Sequence, residues 1–369
     1  MTQEISKTAY ITTLIMAICA IIVGHLWVGQ IERLGTLDRI YRGQVTEITS
    51  DITFEGFNTR VVHSEVMLET GQVVRGERAA DGDFVMHTRF PEVGDRVIIR
   101  YDHLHSRYDI VEFERLGQVA LLGGLLMLLI IAFGRGKGFN GVISLVLICL
   151  FIFFVFIPGI FSGMNLYVLG LMVCLYATVV TLILVLGLNK KSYSAMGGAS
   201  GALAMTGVSI WVIDRLLGLT GMFDSETMGV IALGEAIDLR GLLFAGILIG
   251  SSGAVMDVST SIASSLWEIE RLNKQSFKDH VISGFNIGRD TLGTMLNTLI
   301  LAYIGGYLGV VMFVATETNS VVELLNQERI IVEFVRAIVG SFGIFLAIPV
   351  TTFLGAWVFT RDKYRVFDL

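Results

Sequence analysis

The sequence predicts a polytopic α-helical membrane protein with about eight transmembrane helices and a small extracytoplasmic β-barrel domain between the first and second of them. Three observations carry this prediction. Hydrophobic residues make up 53% of the 369 residues and charged residues 16%, whereas soluble domains carry about 25% charged residues. The mean hydropathy is +0.70, and long apolar runs recur along the chain. Only the interval 31–115 has a different, strand-like character.

A helix needs about 20 mostly apolar residues to cross the hydrocarbon of a bilayer. The predicted crossings are 8–28, 116–133, 141–157, 166–188, 195–219, 241–263, 287–314 and 330–359. We interpret the first as a retained anchor because its apolar core is long and no clear cleavage motif follows it. The predicted domains are therefore an anchor at 1–30, a β-barrel domain at 31–115 and a seven-helix bundle at 116–369.

The positive-inside rule orients these crossings, because Lys and Arg collect in cytoplasmic loops. With eight crossings, one side receives all of the basic short loops and termini: Lys7, Arg135, Lys137, Lys190, Lys191, Arg271, Lys274, Lys278, Arg361, Lys363 and Arg365. The other side receives acidic residues: Asp224, Glu226, Glu235, Asp238, Glu317, Glu323 and Glu328. Both termini are therefore predicted to be cytoplasmic, and the β-domain extracytoplasmic.

Strand-like runs recur in the β-domain at 41–48, 61–77, 93–102 and 108–114. Thr70-Gly71 predicts a hairpin turn between two of them. Five or six short strands favour a small closed barrel, since closure removes exposed strand edges. His103 and His105 would share one face of a strand, but no third ligand has a definable place. We therefore predict no metal site here.

The sixth crossing contains an aspartate, Asp257, which is costly at mid-membrane and is by default a functional candidate. Its neighbours at helical spacing are small or hydroxylated, so they allow close approach of another helix. They include Gly250, Gly253 and Ser261. Two interpretations of the run Gly250-Ser251-Ser252-Gly253 stay open: it permits tight packing, or it interrupts the helix and frees amide groups for a ligand.

The next crossing has a second polar face, formed by Asn286, Asp290, Gly293, Thr294 and Asn297 at three- and four-residue spacing. Two models connect the two helices. In one, Asp257 pairs with Arg289 across the helices, which lowers the cost of both charges. In the other, Asp257, Asp290 and Asn297 face one wet cavity and bind a proton or a small cation.

Two further polar features have ordinary explanations. Glu333 and Arg336 are three residues apart near the start of the last crossing, where an intrahelical ion pair is expected. The cytoplasmic segment near 264–285 predicts an amphipathic helix on the inner membrane surface.

Two long segments carry a family resemblance: "GAVMDVSTSIASSLWEI" at 253–269 and "NIGRDTLGTMLNTLILAYIGG" at 286–306. They resemble the signature segments of the YibE/F-like family of bacterial multi-pass membrane proteins. The outer domain, with "VGDRVIIR" at 93–100, is similar to the longer, YibE-type members. The resemblance implies a bacterial plasma-membrane protein, often discussed as a transporter, without a defined activity. It also implies a shorter YibF-type membrane partner; a homo-oligomer is the alternative assembly.

The leading functional prediction is an integral membrane transporter or permease, coupled to protons or cations. Its ion-coupling residues would be Asp257, Asp290 and Asn297, and its pathway would be lined by Gly250, Ser251, Ser252, Gly253, Ser261, Asn286, Arg289 and Thr294. The alternative is a membrane scaffold or envelope sensor, in which the β-domain binds a ligand or partner and the polar faces are structural. A membrane enzyme is the least favoured class because no nucleophile elbow or HExxH motif occurs. We predict contact with membrane lipid, no nucleic-acid partner and no cofactor.

Overall fold

The computed structural model describes residues 7–28, 40–54, 59–81, 85, 88–103, 105–222, 237–317 and 320–364. The chain divides into two compact units, one formed by Met1–Ile31 with Ile130–Leu369 and the other by Glu32–Leu129. The second unit is longer than the predicted 31–115 domain because it includes the start of a helix. Four residues used to orient the crossings lie outside the described residues: Asp224, Glu226, Glu235 and Arg365.

The unit Glu32–Leu129 contains a small sheet of five strands. They are β1 (Ile40–Phe54), β2 (Thr59–Leu68), β3 (Val73–Asp81), β4 (Arg96–Asp102) and β5 (Arg107–Phe113). Alternate residues point inward: Val62, Val66, Val97 and Ile99 are buried, whereas Glu65 and Met67 are exposed. The predicted turn at Thr70-Gly71 is confirmed, and Gly71 adopts a φ of +82°, which favours glycine.

The strands pair in the order β1-β2-β3-β5-β4, and β1 also pairs with β4. All contacts are antiparallel except that between β3 and β5, which is parallel. The described backbone pairing of β3 with β5 comprises Gly76–Tyr108 and Glu77–Asp109. Side chains add to this seam, since Arg107 Nη1 lies 3.2 Å from Glu77 Oε1 and Arg78 Nη1 donates to the carbonyl of Val111 at 2.9 Å. The predicted closure of the sheet into a barrel depends on these contacts.

Long helices dominate the rest of the described chain. Their bounds are α1 (Lys7–Val28), α2 (Leu116–Phe151, followed by a π-helical turn Ile152–Phe156), α3 (Ile157–Phe161), α4 (Leu166–Leu186), α5 (Lys190–Leu217), α6 (Leu239–Leu272), α7 (Phe277–Gly306), α8 (Leu308–Glu317), α9 (Val321–Asn326) and α10 (Glu328–Tyr364). Side-chain caps begin several of them: the Asn165 carbonyl oxygen accepts from the amides of Tyr167 and Val168, and Asp238 accepts from that of Gly241.

The helix α2 is broken at Arg135, where φ is 49° and ψ is −131°. A Cβ on Gly138 would lie 2.9 Å from the carbonyl carbon of Ile130. Residues eight apart in a continuous helix are separated by about 12 Å along its axis. The backbone therefore folds back sharply at Arg135, between the predicted crossings 116–133 and 141–157.

Helices α5, α6 and α10 form the centre of the bundle, with Leu203, Val258 and Ile344 fully buried among them. Close approach depends on small residues, as is usual between membrane helices. A Cβ on Gly198 of α5 would lie 2.8 Å from the Cα of Thr351 on α10. The Thr351 hydroxyl donates to the Ser259 hydroxyl of α6 at 3.0 Å, and both side chains are fully buried.

Within the described residues, five helical stretches are long and apolar enough to cross a membrane: Leu116–Phe161, Leu166–Leu186, Lys190–Leu217, Leu239–Leu272 and Glu328–Thr360. The pair α7 and α8, bent by 55°, makes a sixth if it is one span. Part of α1, Ile11–Gly24, is a shorter apolar helix. The chain is thus a helical protein with five or six potential membrane spans, and the count of eight stays a prediction.

The predicted surface helix near 264–285 is wrong as a separate element. Residues up to Leu272 continue α6, and α7 begins at Phe277, where the Ser276 hydroxyl caps the amide of Asp279. Leu266 and His280 are fully buried, whereas Leu272, Phe277 and Ile282 are exposed. The His280 ring nitrogen Nε2 lies 3.3 Å from Glu270 Oε2, which connects the two helix ends.

Candidate functional site

The first predicted polar face lies on α6, which runs without interruption through Gly250-Ser251-Ser252-Gly253. The broken-helix interpretation of this run is therefore wrong. Both serine hydroxyls donate back to their own helix, Ser251 to the carbonyl of Leu248 at 3.0 Å and Ser252 to that of Ile249 at 2.7 Å. The hydroxyl groups are satisfied locally, so the run needs no ligand to satisfy them.

Asp257 lies on an exposed stripe of α6 together with Gly246, Gly250 and Gly253. In the described chain its carboxylate makes no side-chain hydrogen bond or ion pair. A Cβ on Gly246 or Gly253 would meet no atom within 4 Å, so the stripe is open at these two positions. Ser261, one turn further along, is half-buried.

The ion pair proposed between Asp257 and Arg289 does not form in the described chain. Arg289 is exposed on α7 and has no ion-pair partner among the described residues. The antiparallel packing explains why: the Tyr303 hydroxyl of α7 lies beside Gly250 of α6, 3.2 Å from the position of a Cβ. Arg289 is 14 residues from Tyr303, whereas Asp257 is seven from Gly250, so the two charges differ in height by about 10 Å.

The second predicted face is also on the surface, since Asn286, Asp290, Thr294 and Asn297 are all exposed. At about 100° per residue, Asp290 and Tyr303 are about 140° apart around α7. Tyr303 faces α6, so Asp290 and Asn297 lie on a side of α7 turned away from Asp257. The structure brings Asn286, Asp290, Thr294 and Asn297 together on one face but does not bring them together with Asp257.

A buried polar cluster connects α7 to α10 in the half of the bundle that contains the start of α10. Arg336 Nη1 lies 3.0 Å from Glu333 Oε1 and donates to the Tyr307 hydroxyl at 2.7 Å. The guanidinium also stacks over the Tyr307 ring, 5.1 Å from its centroid. The side chains of Glu333 and Arg336 are only 12% and 13% exposed. We call Tyr303, Tyr307, Glu333 and Arg336 the Glu333 cluster.

Several atoms of the Glu333 cluster lack hydrogen-bond partners within the described residues. They are both carboxylate oxygens of Glu333, Nε of Arg336 and the hydroxyl of Tyr303, all shielded from solvent. Buried polar atoms normally have partners, so each such atom needs an explanation. The cluster therefore has unused capacity to bind a proton, water or a small polar group.

The sequence predicted the ion pair between Glu333 and Arg336, and that prediction is confirmed. It missed Tyr303 of α7 and Tyr307 just after the end of α7, because their positions follow from the packing of α7 against α10. That packing places Leu299 beside Gly340 and Gly288 beside Ile348, which brings Tyr303 level with Arg336. The four-residue spacing of Tyr303 and Tyr307 could have suggested one common face.

A small cavity of about 10 Å³ is lined by Asp214 of α5, Arg240 of α6 and Val335 of α10, among others, and by none of the four residues of the Glu333 cluster. This is about the smallest space that can hold one water molecule. Asp214 Oδ1 is buried without a hydrogen-bond partner in the described chain. A single bound water would satisfy it.

The helical part of the chain matches a known protein family. The model of the family described as YibE/F-like protein matches residues 122–361, which include α4 to α9, most of α10 and the Glu333 cluster but none of the strands β1 to β5. No curated protein and no solved structure matches the chain. Because the family match covers well over half of the 369 residues, the chain belongs to the YibE/F-like protein family.

Proposed function

We propose that this protein is an integral membrane transporter or permease, driven by protons or small cations, with Asp257 as its ion-coupling carboxylate. The observation that carries the proposal is the unpartnered Asp257 on the open glycine stripe of α6. A charged side chain near mid-membrane costs about 2.5–3.5 kcal/mol on insertion scales. Water or a polar group from another subunit must therefore cover this face, and a water-filled path meets that need.

The second polar face extends the proposal to α7. Asp290, Asn297 and their exposed neighbours on α7 are also costly in lipid. Because these α7 residues face away from Asp257, a single path within one chain does not include both polar faces. We therefore propose that a second subunit, either a YibF-type protein or another copy of this chain, covers these faces and completes the path.

The finer topology belongs to the same proposal. We propose eight crossings in a bacterial plasma membrane, with cytoplasmic termini and an extracytoplasmic β-domain. In support, the run Leu116–Phe161 is 46 residues long and is broken at Arg135. A straight helix of that length would span about 69 Å, roughly twice the hydrocarbon thickness.

The second candidate function is a membrane scaffold or sensor. It is favoured by the separate core of the sheet, in which Val45, Val66, Val97 and Ile99 are almost fully buried. A domain with its own core could bind an envelope ligand or partner while the polar faces of α6 and α7 bind a partner's helices.

The test measures ion movement in vesicles made from membranes of cells producing the full chain, so that any partner is retained. Fluorescent indicators for H⁺ and Na⁺ report flux under an imposed gradient. We expect Asp257→Asn to abolish the flux seen with wild-type protein at equal abundance. Glu268→Gln is the matched control, because Glu268 lies further along the same helix, exposed and beside Arg271, and should leave flux unchanged.

Two outcomes would reject the transporter proposal. One is wild-type flux no greater than that of vesicles lacking the protein. The other is full flux in Asp257→Asn. Loss of a co-purifying subunit from Asp257→Asn, with no effect on any flux, would favour the scaffold.

A further inference from the structure

The break between α7 and α8 has the properties of a hinge. α7 ends at Gly306, α8 begins at Leu308, and their axes differ by 55°. Tyr307 between them has φ −112° and ψ 13°, outside the helical region. No proline causes the bend. Gly305, Gly306 and Gly309 flank it instead, and a Cβ on any of these would meet no atom within 4 Å, so the backbone has room to move there.

One side chain tethers this hinge to α10. Arg336 donates to the hydroxyl of Tyr307, the residue at the break, and stacks over its ring. The same guanidinium is held from the other side by Glu333 on its own helix. The position of the hinge residue thus depends on a guanidinium whose only anionic partner among the described residues is Glu333.

Among the described groups around Glu333, only Arg336 forms an ion pair that compensates the charge of its carboxylate. Arg336 faces it from α10, Tyr307 from the break and Tyr303 from α7. Asp214 of α5 and Arg240 of α6 line a small cavity with Val335 of α10, which does not include Glu333. Of the described residues, Arg336 alone forms an ion pair with Glu333, and the Tyr307 hydroxyl is a neutral donor beside it. A buried ionised group that relies on one partner is sensitive to any change in that partner or in its own charge.

We propose that Glu333 is a proton-binding site that controls the angle between α7 and α8. The proton comes from a hydronium ion of the solvent: one O–H bond of the hydronium breaks, an O–H bond to a carboxylate oxygen of Glu333 forms, and a water molecule is left. The neutral carboxyl no longer attracts the guanidinium of Arg336, which then releases the Tyr307 hydroxyl and frees the hinge. This proposal goes beyond the transporter proposal and does not depend on it, because proton binding and hinge movement are measured without any substrate.

The first measurement detects the proton directly. Infrared difference spectra of the full chain in lipid nanodiscs, recorded across a pH titration, report the carbonyl stretch of protonated carboxyl groups. We expect one such band to be lost in Glu333→Gln and kept in Glu323→Gln. Glu323 is the matched control because it is exposed on α9. If the titrating bands of Glu333→Gln are identical to those of wild-type protein, Glu333 is not the proton-binding site.

The second measurement detects the hinge. Spin labels at Met312 on α8 and Phe345 on α10, both exposed, report the distance between them by pulsed electron resonance. The exposed Cys19 and Cys149 are replaced by serine. We expect the wild-type distance distribution to shift between neutral and acidic pH, and Glu333→Gln to show the acidic distribution at both.

Tyr307→Phe is a second test variant in case Glu333→Gln does not fold. It removes one hydroxyl and keeps the ring. We expect it to show the freed distribution at neutral pH as well. A wild-type distribution that does not change with pH would overturn the proposal. So would a Tyr307→Phe protein that keeps the complete wild-type shift.

Discussion

At Gly198 the packing of the bundle leaves no room for added volume. Its missing side chain is replaced by Thr351 of α10, whose Cβ would lie 2.7 Å from a Cβ at position 198. We expect Gly198→Ala to destabilise the protein by about 1–3 kcal/mol, because overpacking forces backbone or side-chain shifts. Thermal unfolding in detergent, followed by intrinsic fluorescence, measures this.

Gly246→Ala is the control for that measurement. A Cβ on Gly246 would meet no atom within 4 Å, and alanine favours a helix over glycine by up to about 1 kcal/mol. We expect this variant to be as stable as wild-type protein or slightly more stable. Equal melting temperatures for Gly198→Ala and wild-type protein would show that α5 and α10 are not as close as described.

At the scale of single elements, the ends of β1 and β2 are joined by an ion pair in which both nitrogens of the Arg60 fork donate to Asp51, at 2.9 and 2.6 Å. Hydrogen bonding by Arg60 lowers the pKa of Asp51 from its ordinary value, outweighing the opposing effect of burial, and Coulomb attraction adds to it. A lowered folded-state pKa means that the pair stabilises the hairpin above the unfolded pKa, near 3.9. The stabilisation is lost as pH falls through the folded pKa.

We therefore expect Arg60→Gln to speed amide exchange in β1 and β2 at neutral pH, and this effect to shrink as the pH falls through the lowered pKa of Asp51. The effect is small, since exposed ion pairs contribute about 0.2–1 kcal/mol. Hydrogen exchange read by mass spectrometry of the full chain tests this, with both proteins compared at the same pH so that intrinsic rates cancel. An equal difference at both pH values would exclude the pair as its cause.

Two glycine-containing runs in the long helices behave differently: one stays helical and the other is broken. The run Gly250-Ser251-Ser252-Gly253 stays helical because the serine hydroxyls bond to their own backbone and α6 packs on α4, α5, α7 and α10. The break instead falls at Tyr307, next to Gly305 and Gly306, where nothing packs against the glycines. Glycine permits a break but does not by itself cause one, since Gly253 in the unbroken run is as open as Gly305 and Gly306.

At the scale of the whole molecule, the break at Arg135 decides the number of crossings. If the chain turns there on the cytoplasmic side, a cysteine at position 135 reacts with a membrane-impermeant thiol reagent only from inside, as does one at position 274. A cysteine replacing Arg75, which is exposed on β3, should react only from outside. These experiments use Arg135→Cys, Lys274→Cys and Arg75→Cys in a background without Cys19 and Cys149.

Labelling of positions 135 and 274 from opposite sides would refute the eight-crossing topology. Labelling of position 75 from inside would refute the orientation. Neither result would affect the contacts within the bundle, which do not depend on which side is cytoplasmic.

The sequence by itself determined the helical membrane class, the presence of short strands in the β-domain, the family and the intrahelical pair of Glu333 with Arg336, because each depends on composition, periodicity or neighbours within one turn. Only the tertiary structure decided that Asp257 and Asp290 lie on separate faces, that α6 is unbroken and that Tyr303 of α7 and Tyr307 at its break complete a cluster with α10. These depend on the rotation and register of one helix against another. Small residues such as Gly198, Gly284 and Gly288 set that register through close contact, and no pattern within a single helix contains it.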